Sequence, residues 1–219
     1  MILIKPSYVI ENLDLSKLSL VEKFGRVCYK SEEKMTQDSL IKFLKRIIES
    51  GHESVIEHFS FSVRFIIDRG VSHELVRHRL AAFSQESTRY CSYNKSKFGN
   101  QITYIIPLWL TDIEPGEYNT VELRNYSEAT ATWLLQMLSI ESRYMELTNR
   151  FNWTAQQARC ILPNSLKTEI LVTTNLREWR HIFKMRTPHD AHPQMREVMV
   201  PLFQELKSKV PVVFDDIEY

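Results

Sequence analysis

The chain has 219 residues, 43% hydrophobic and 25% charged, with 28 Lys+Arg against 27 Asp+Glu for a formal net charge of +1. That is an ordinary globular composition, long enough to bury one sizeable core, and it lacks the basic excess on which general nucleic-acid and membrane-surface binders depend. Any anion site therefore comes from local clustering, and the three dispersed cysteines, Cys28, Cys91 and Cys160, form neither a CxxC pair nor a disulfide ladder, which points to a reducing compartment, the cytoplasm.

The N-terminus, MILIKPSYVIENLD, meets charge and proline too early for a signal peptide. MTQDSLIKFLKRIIESG predicts a helix: Thr36 can cap it, Leu40, Phe43, Leu44 and Ile47 recur at helical spacing, and Gly51 can end it. FSFSVRFII then switches to period two, with Phe59, Phe61, Val63 and Phe65 on one face and Ser60, Ser62 and Arg64 on the other, a half-buried strand. Asp68-Arg69-Gly70 reads as a turn, followed by a second helix from about Ser72 that carries HELVRHR. The polar run beyond it and CSYNKSKFGNQ read as loop, and ITYIIP as a strand. The longest apolar stretch, ITYIIPLWL, is too short to span a bilayer.

Residues 117–150 predict a long helix or a helical pair, with Trp133, Leu134, Met137, Leu138 and Met145 available for a core. Thr154 can cap a short helix through AQQARCILP, closed by Pro163. TEILVTT is β-rich, and Asn175 can cap a helix through LREWRHIFKMR. Pro193 suits the first turn of a last helix, which Pro201 should bend. Five glycines and eight prolines are spread without a linker or repeat. The expectation is a single domain over residues 1–219, of α+β class because helices and strands do not alternate regularly.

Three clusters could carry chemistry. Arg77-His78-Arg79 sets three potential cations side by side, and successive helical side chains fan out by about 100°, so they cannot all face one phosphate. The plain alternative is a set of surface cations near a helix C-terminus, where the dipole favours them. The short hydroxyl and amide side chains that follow, from Ser84 to Thr88, favour ligand contact, because they hydrogen-bond well and bury little apolar area. GHESVIEHF holds His52, Ser54, Glu57 and His58, but it is not HExxH, and the spacing of its histidines is wrong for two ligands on one helix face. No metal site is expected.

The third cluster runs from Arg159 to Arg196 and includes Arg177, Arg180, His181, Lys184 and Arg186. Arg177, His181 and Lys184 share a helical face, which would equally suit a solvated basic surface opposite Leu176, Trp179 and Phe183. HDAH, from His189 to His192, is a weak pointer to a metal phosphohydrolase. Neither GxSxG nor GxGxxG occurs. The spacing also supplies no base for Ser87, so covalent serine or cysteine catalysis and Rossmann-type cofactor binding find no support.

Arg77-His78-Arg79, seven further residues and Ser87 make an RHRx7S pattern, which resembles that of the flavin-dependent thymidylate synthases. GHESVIEH, STRY, ARCILP and TTNLREWRHIFKMR are similar to further segments of that family in order and spacing, over about residues 25 to 205. The resemblance implies a single α+β domain with mixed helices around a central, largely antiparallel sheet, assembled as a homotetramer with shared active sites. It implies conversion of dUMP to dTMP, with methylenetetrahydrofolate supplying the carbon and FAD, reduced by NADPH, supplying the hydride. The expectation includes no covalent enzyme nucleophile, no nucleic acid and no membrane.

Residue by residue, the resemblance implies FAD contacts from Ser54, Arg77, His78, Arg79, Gln85, Asn175, Leu176, Arg177 and His181. It implies dUMP contacts from Glu74, Leu75, Val76, Arg77, Gln85, Glu86, Ser87, Thr88, Arg89, Arg159 and Arg186. Arg186 takes the catalytic position, where a guanidinium beside the uracil carbonyls stabilises the anionic ring as it develops. Ser87 is assigned a hydrogen bond to the substrate. The rival readings are a nucleotide- or RNA-binding module that uses the arginine clusters, with Tyr90 or Tyr93 for stacking, and the metal phosphohydrolase.

Overall fold

The computed structural model describes residues 1–119, 122–210 and 212–219, the Leu123 side chain excepted. Its strands and helices in chain order are β1 (Ile2–Ile4), β2 (Ser7–Ile10), α1 (Leu18–Val27), α2 (Ser39–Glu49), β3 (Ser60–Asp68), α3 (Arg69–Leu75) and β4 (Ala82–Gln85). There follow β5 (Thr103–Ile105), β6 (Gly116–Glu117), α4 (Glu128–Asn149), α5 (Ala155–Ala158), β7 (Lys167–Asn175), α6 (Leu176–Arg186) and α7 (Pro193–Lys209). The class is α+β, and the strands form two sheets, ordered β5-β1-β6 and β2-β3-β7-β4. Strand β1 runs parallel to β5, with Ile2 opposite Thr103, and antiparallel to β6. Among the described residues, no helix is long and apolar enough to cross a membrane.

Two compact units can be distinguished. The first comprises residues 1–7, 65–75 and 84–170. Its core gathers Leu3, Tyr93, Tyr104, Leu134, Met137, Tyr144 and Leu166, with Trp133, Leu138 and Met145 packed partly buried against it. All five core candidates read from residues 117–150 thus face inward. The second unit comprises residues 8–64, 76–83 and 171–219. There Trp179 stacks on Phe61 at 5.3 Å and on Phe183 at 5.8 Å, and Phe183 packs against Phe203 and Phe214. Ring pairs of this kind add about 0.5–1.5 kcal/mol each beyond the area they bury.

Strand β3 follows its period-two pattern: Phe61, Val63 and Phe65 are fully buried and Arg64 is exposed. Ser62 departs from the pattern and is buried, its hydroxyl 2.7 Å from Thr173 Oγ1 and its N–H donating to Asn12 Oδ1. The expected turn at Asp68–Gly70 is instead the start of a helix. Asp68 Oδ1 accepts from the Val71 N–H at 2.8 Å, so α3 begins at Arg69 and not at Ser72. It stops at Leu75, which leaves Arg77, His78 and Arg79 beyond the helix, freed from the 100° fan of helical side chains.

The next correction is β4, where loop was expected. Ala82 and Ser84 are exposed while Phe83 and Gln85 are partly buried, an alternation too short to read against its polar composition. Thr36 does not cap α2 with its side chain. The helix starts at Ser39 without a side-chain cap, and the Ser39 hydroxyl donates to the Thr36 carbonyl. Of the described residues among 117–150, only Glu128–Asn149 forms an α-helix, begun where Ser127 accepts from the Thr130 N–H. Thr120 and Val121 lie outside the described residues.

Other terminal signals hold. Gly51 follows α2 with φ +68°, a left-handed conformation that suits glycine. Thr154 and Gln157 form a reciprocal capping box on α5. The Asn175 side chain accepts from the Glu178 N–H at 2.9 Å and caps α6, and Pro193 opens α7 with Pro201 inside it.

Candidate active site

Helix α6 organises the flavin-type residues, all of which except Gln85 belong to the second unit. Its N-terminus gathers Asn175, Arg177 and His181 along a cleft of about 590 Å³ that is also lined by Glu53, Glu57, Leu80, Glu178, Arg180 and Lys184. Arg177, exposed on the cleft, donates to Glu57 Oε1 at 2.5 Å. Ser54 stands exposed on the short 3-10 helix Glu53–His58 that supplies both carboxylates. Leu176 is fully buried and its N–H is taken by the Phe59 carbonyl at 2.9 Å.

Arg180 corrects the idea of an all-solvated basic face. It is 1% exposed, and its guanidinium donates to both oxygens of Asp216 at 2.7 Å, to Glu53 Oε1 at 3.0 Å and to the Val213 carbonyl. A helix that turns about 100° per residue sends Arg180 inward beside Trp179 while Arg177, His181 and Lys184 stay outward.

At the C-terminal end of α6 lies the tightest polar arrangement. His78 is buried, and its Nε2 accepts from Arg186 Nε at 3.0 Å. An arginine N–H can only donate, so Nε2 carries the lone pair and the ring proton sits on Nδ1, which is 3.7 Å from Glu178 Oε1. The His181 ring meets His78 edge-on at 5.7 Å. Burial first, then the Arg186 charge and His181, push the His78 imidazolium down to about 4, so the ring is neutral near pH 7. Burial pushes the Glu178 carboxyl up, with His181 opposing. One side-chain ligand atom from each of His78, Glu178 and His181 falls within 4.8 Å of the others. A guanidinium already donates into this trio, and its charge disfavours a second cation there. Arg77 and Arg79 flank His78 and are exposed.

The nucleotide-type residues form a second group, most of it in the first unit. Gln85 Nε2 donates to Ser72 Oγ at 2.9 Å and to Thr168 Oγ1 at 3.2 Å, which fixes its amide. Glu86 Oε2 accepts from Lys167 Nζ at 3.1 Å, and its backbone carbonyl accepts from Arg69 at 3.4 Å. Ser87 Oγ accepts from the Arg89 N–H at 3.3 Å. Among the described residues, no histidine or carboxylate hydrogen-bonds to that hydroxyl. Arg89 is exposed, its Nε donating to Gln156 Oε1 at 3.0 Å, and Arg159 is exposed just beyond α5.

Glu74 is partly buried, Leu75 fully buried, Val76 partly buried and Thr88 buried. Tyr90 is exposed, but Tyr93 is buried in the core and cannot stack a base.

Sequence reading missed Lys167, Arg69, Gln156 and Glu178, which hold Glu86, Arg89 and His78 in place. Period two did carry a signal for one of them. Lys167 and Glu169 are two apart on β7, hence on one face, and Lys167 Nζ bridges Glu86 and Glu169, the latter at 2.7 Å.

The family model described as thymidylate synthase complementing protein matches residues 12–212. A protein of Mycobacterium avium named flavin-dependent thymidylate synthase is 35% identical over 206 residues, 91% of this chain and 79% of that protein. One of the same name from Mycobacterium tuberculosis is 34% identical over the same shares. Thymidylate synthase X of Helicobacter pylori, solved with FAD and dUMP, superposes with a TM-score of 0.74 at 20% identity, covering 96% of this chain and 98% of that one. A UMP/dUMP methylase of Streptomyces cacaoi superposes with a TM-score of 0.76 at 21% identity, covering 98% of this chain and 96% of that one. The structural likenesses speak to the fold, while the family match and the mycobacterial identities span nearly all of the sequence: the chain belongs to the flavin-dependent thymidylate synthases.

Proposed function

We propose that the chain, acting as one catalytic domain over residues 1–219, methylates dUMP to dTMP. Methylenetetrahydrofolate is the carbon donor and FAD reduced by NADPH the hydride source. The observation that carries this reading is that three residues assigned to the flavin, Asn175, Arg177 and His181, line one cleft at the start of α6. The donor set suits FAD. The N-terminal pole of α6 with Arg177 beside it attracts a pyrophosphate, Lys184 lines the same cleft further along the helix, and exposed Leu80 offers apolar surface to a flat ring. Arg177 would exchange its bond to Glu57 for a phosphate oxygen. When bound, the flavin supplies the hydride that completes the methyl group.

The protein's own part is binding and polarisation. Ser54, Asn175, Arg177, His181 and Arg77-His78-Arg79 hold the cofactor, and Gln85 is assigned to both ligands. Arginine suits a nucleotide monophosphate because its fork pairs with two oxygens at once. Arg89 and Arg159 are exposed for that task, each charge-assisted bond contributing about 1.5–3 kcal/mol. Glu74, an anion near an anionic substrate, acts through water or through Arg77. Ser87 donates a hydrogen bond to dUMP and attacks nothing. Uracil C5 is a weak nucleophile, and Arg186 stabilises the anionic ring as it forms.

The reading also has the protein work as a homotetramer in the cytoplasm, in keeping with its free cysteines. Release of tritium from C5-labelled dUMP, with FAD, NADPH and methylenetetrahydrofolate present, tests the whole reaction. A purified chain that is colourless and cannot bind added FAD defeats it. Arg186→Ala should keep the flavin and lose dTMP formation. Ser87→Ala should raise the KM for dUMP more than it lowers kcat. Complete loss of activity with intact dUMP affinity would return Ser87 to the list of nucleophiles.

A further inference from the structure

We infer that His78 is a positioning residue for Arg186, using Nε2 as a hydrogen-bond acceptor that sets the plane of the guanidinium. The inference rests on the assignment of Arg186 to catalysis made above. Arg186 is the last residue of α6, and its long side chain loses rotamer freedom when held in one pose. The 3.0 Å bond from its Nε engages the one guanidinium nitrogen that lies on the stem, so it fixes rotation of the plane and not just its distance.

Only a neutral imidazole with its proton on Nδ1 can serve as that acceptor. The surroundings maintain this form: the ring is buried, Arg186 and His181 face it, and Glu178 Oε1 stands 3.7 Å from Nδ1 on the side that carries the proton. All three are on α6. An acceptor role differs from contact with a flavin, because it predicts that the effect of changing His78 disappears once the Nε–H donor is gone.

The first measurement needs no turnover. In 15N spectra of the histidine-labelled protein at neutral pH, His78 should be the Nδ1–H tautomer. Its Nε2 resonance should shift on Arg186→Lys, which keeps a cation but removes the Nε–H. An Nε2–H tautomer, or no shift, overturns the proposal. The second compares variants of the FAD-loaded enzyme by C5-tritium release. His78→Leu should lower kcat about 10- to 100-fold with the KM for dUMP within about 3-fold, one to two decades being the scale of a single well-placed polar contact. His78→Gln, whose amide oxygen can accept at a similar reach, should recover most of the loss.

In the Arg186→Lys background, His78→Leu should cost nothing further. An equal loss in both backgrounds means that His78 acts apart from Arg186, and the positioning role falls. Near-normal turnover by Arg186→Lys and Arg186→Ala would instead defeat the catalytic assignment of Arg186, leaving the tautomer and the Nε2 shift to decide whether the pair exists.

Discussion

Arg177 and Arg180 lie within one turn of α6, yet they should respond oppositely to truncation. Arg180 is 1% exposed and serves Asp216, Glu53 and the Val213 carbonyl at once. Arg180→Met keeps the apolar stem and deletes the fork. The Val213 carbonyl belongs to a fully buried residue, and losing its donor costs about 1–3 kcal/mol. Glu53 and Asp216 are 22% and 44% exposed, so water recovers part of what they lose, leaving about 0.5–1 kcal/mol for each. The expected loss is therefore about 2–5 kcal/mol, against about 0–1 kcal/mol for Arg177→Ala, whose pair with Glu57 is largely solvated.

Urea unfolding measures this as a lowered midpoint with an unchanged slope. The difference should also depend on acid in a set direction. Hydrogen bonding from Arg180 holds the Asp216 carboxyl below its usual range. Its contribution is then present above the unfolded value, about 3.9, and is lost as the pH falls through the lower folded one. The gap between wild type and Arg180→Met should be full above about pH 4 and narrow below it as the Asp216 share is lost. Equal losses for Arg177→Ala and Arg180→Met, or a gap unmoved by acid, would refute the reasoning.

Trp179→Ala should cost about 3–5 kcal/mol in the same experiment, because it removes a fully buried ring stacked on both Phe61 and Phe183. Gly25→Ala should cost about 1–3 kcal/mol: the new methyl would sit 2.7 Å from Val55 Cγ1 and collide with the Phe43 ring, forcing both to shift. His78 makes a pH prediction of its own. Its folded value, about 4, lies below the unfolded 6.5, so between those limits the unfolded chain binds more protons and stability falls as pH falls, by up to about 1.4 kcal/mol per pH unit. His78→Gln should flatten that slope, and an unchanged slope would mean that another group is responsible.

Much of the architecture was legible because it is local. The alternation Phe61, Val63, Phe65 needs only one buried face, and the caps by Thr154 and Asn175 close over a few residues. The errors have a common cause. Thr36 read as a cap, but a cap is decided by where the following backbone turns helical. Asp68 read as a turn residue because the same short carboxylate serves turns and helix starts alike, and its bond to the Val71 N–H settled it. Ala82–Gln85 read as loop because four residues of mixed polarity carry no signal until a neighbouring strand offers hydrogen bonds.

The sequence alone determined the family motifs and their order, since RHRx7S, GHESVIEH and TTNLREWRHIFKMR are strings of residue types that need no coordinates. It also determined that Asn175, Arg177 and His181 share one end or face of a helix, because helical spacing is a property of the chain. Tertiary structure decided what long-range contact decides. It turned Arg180 inward onto Glu53 and Asp216, tied Lys167 to Glu86, and brought His78 against Arg186, 108 positions away in the chain. Periodicity shows which way a side chain faces, while the identity of its partner depends on how distant segments pack, and the candidate site depends on both.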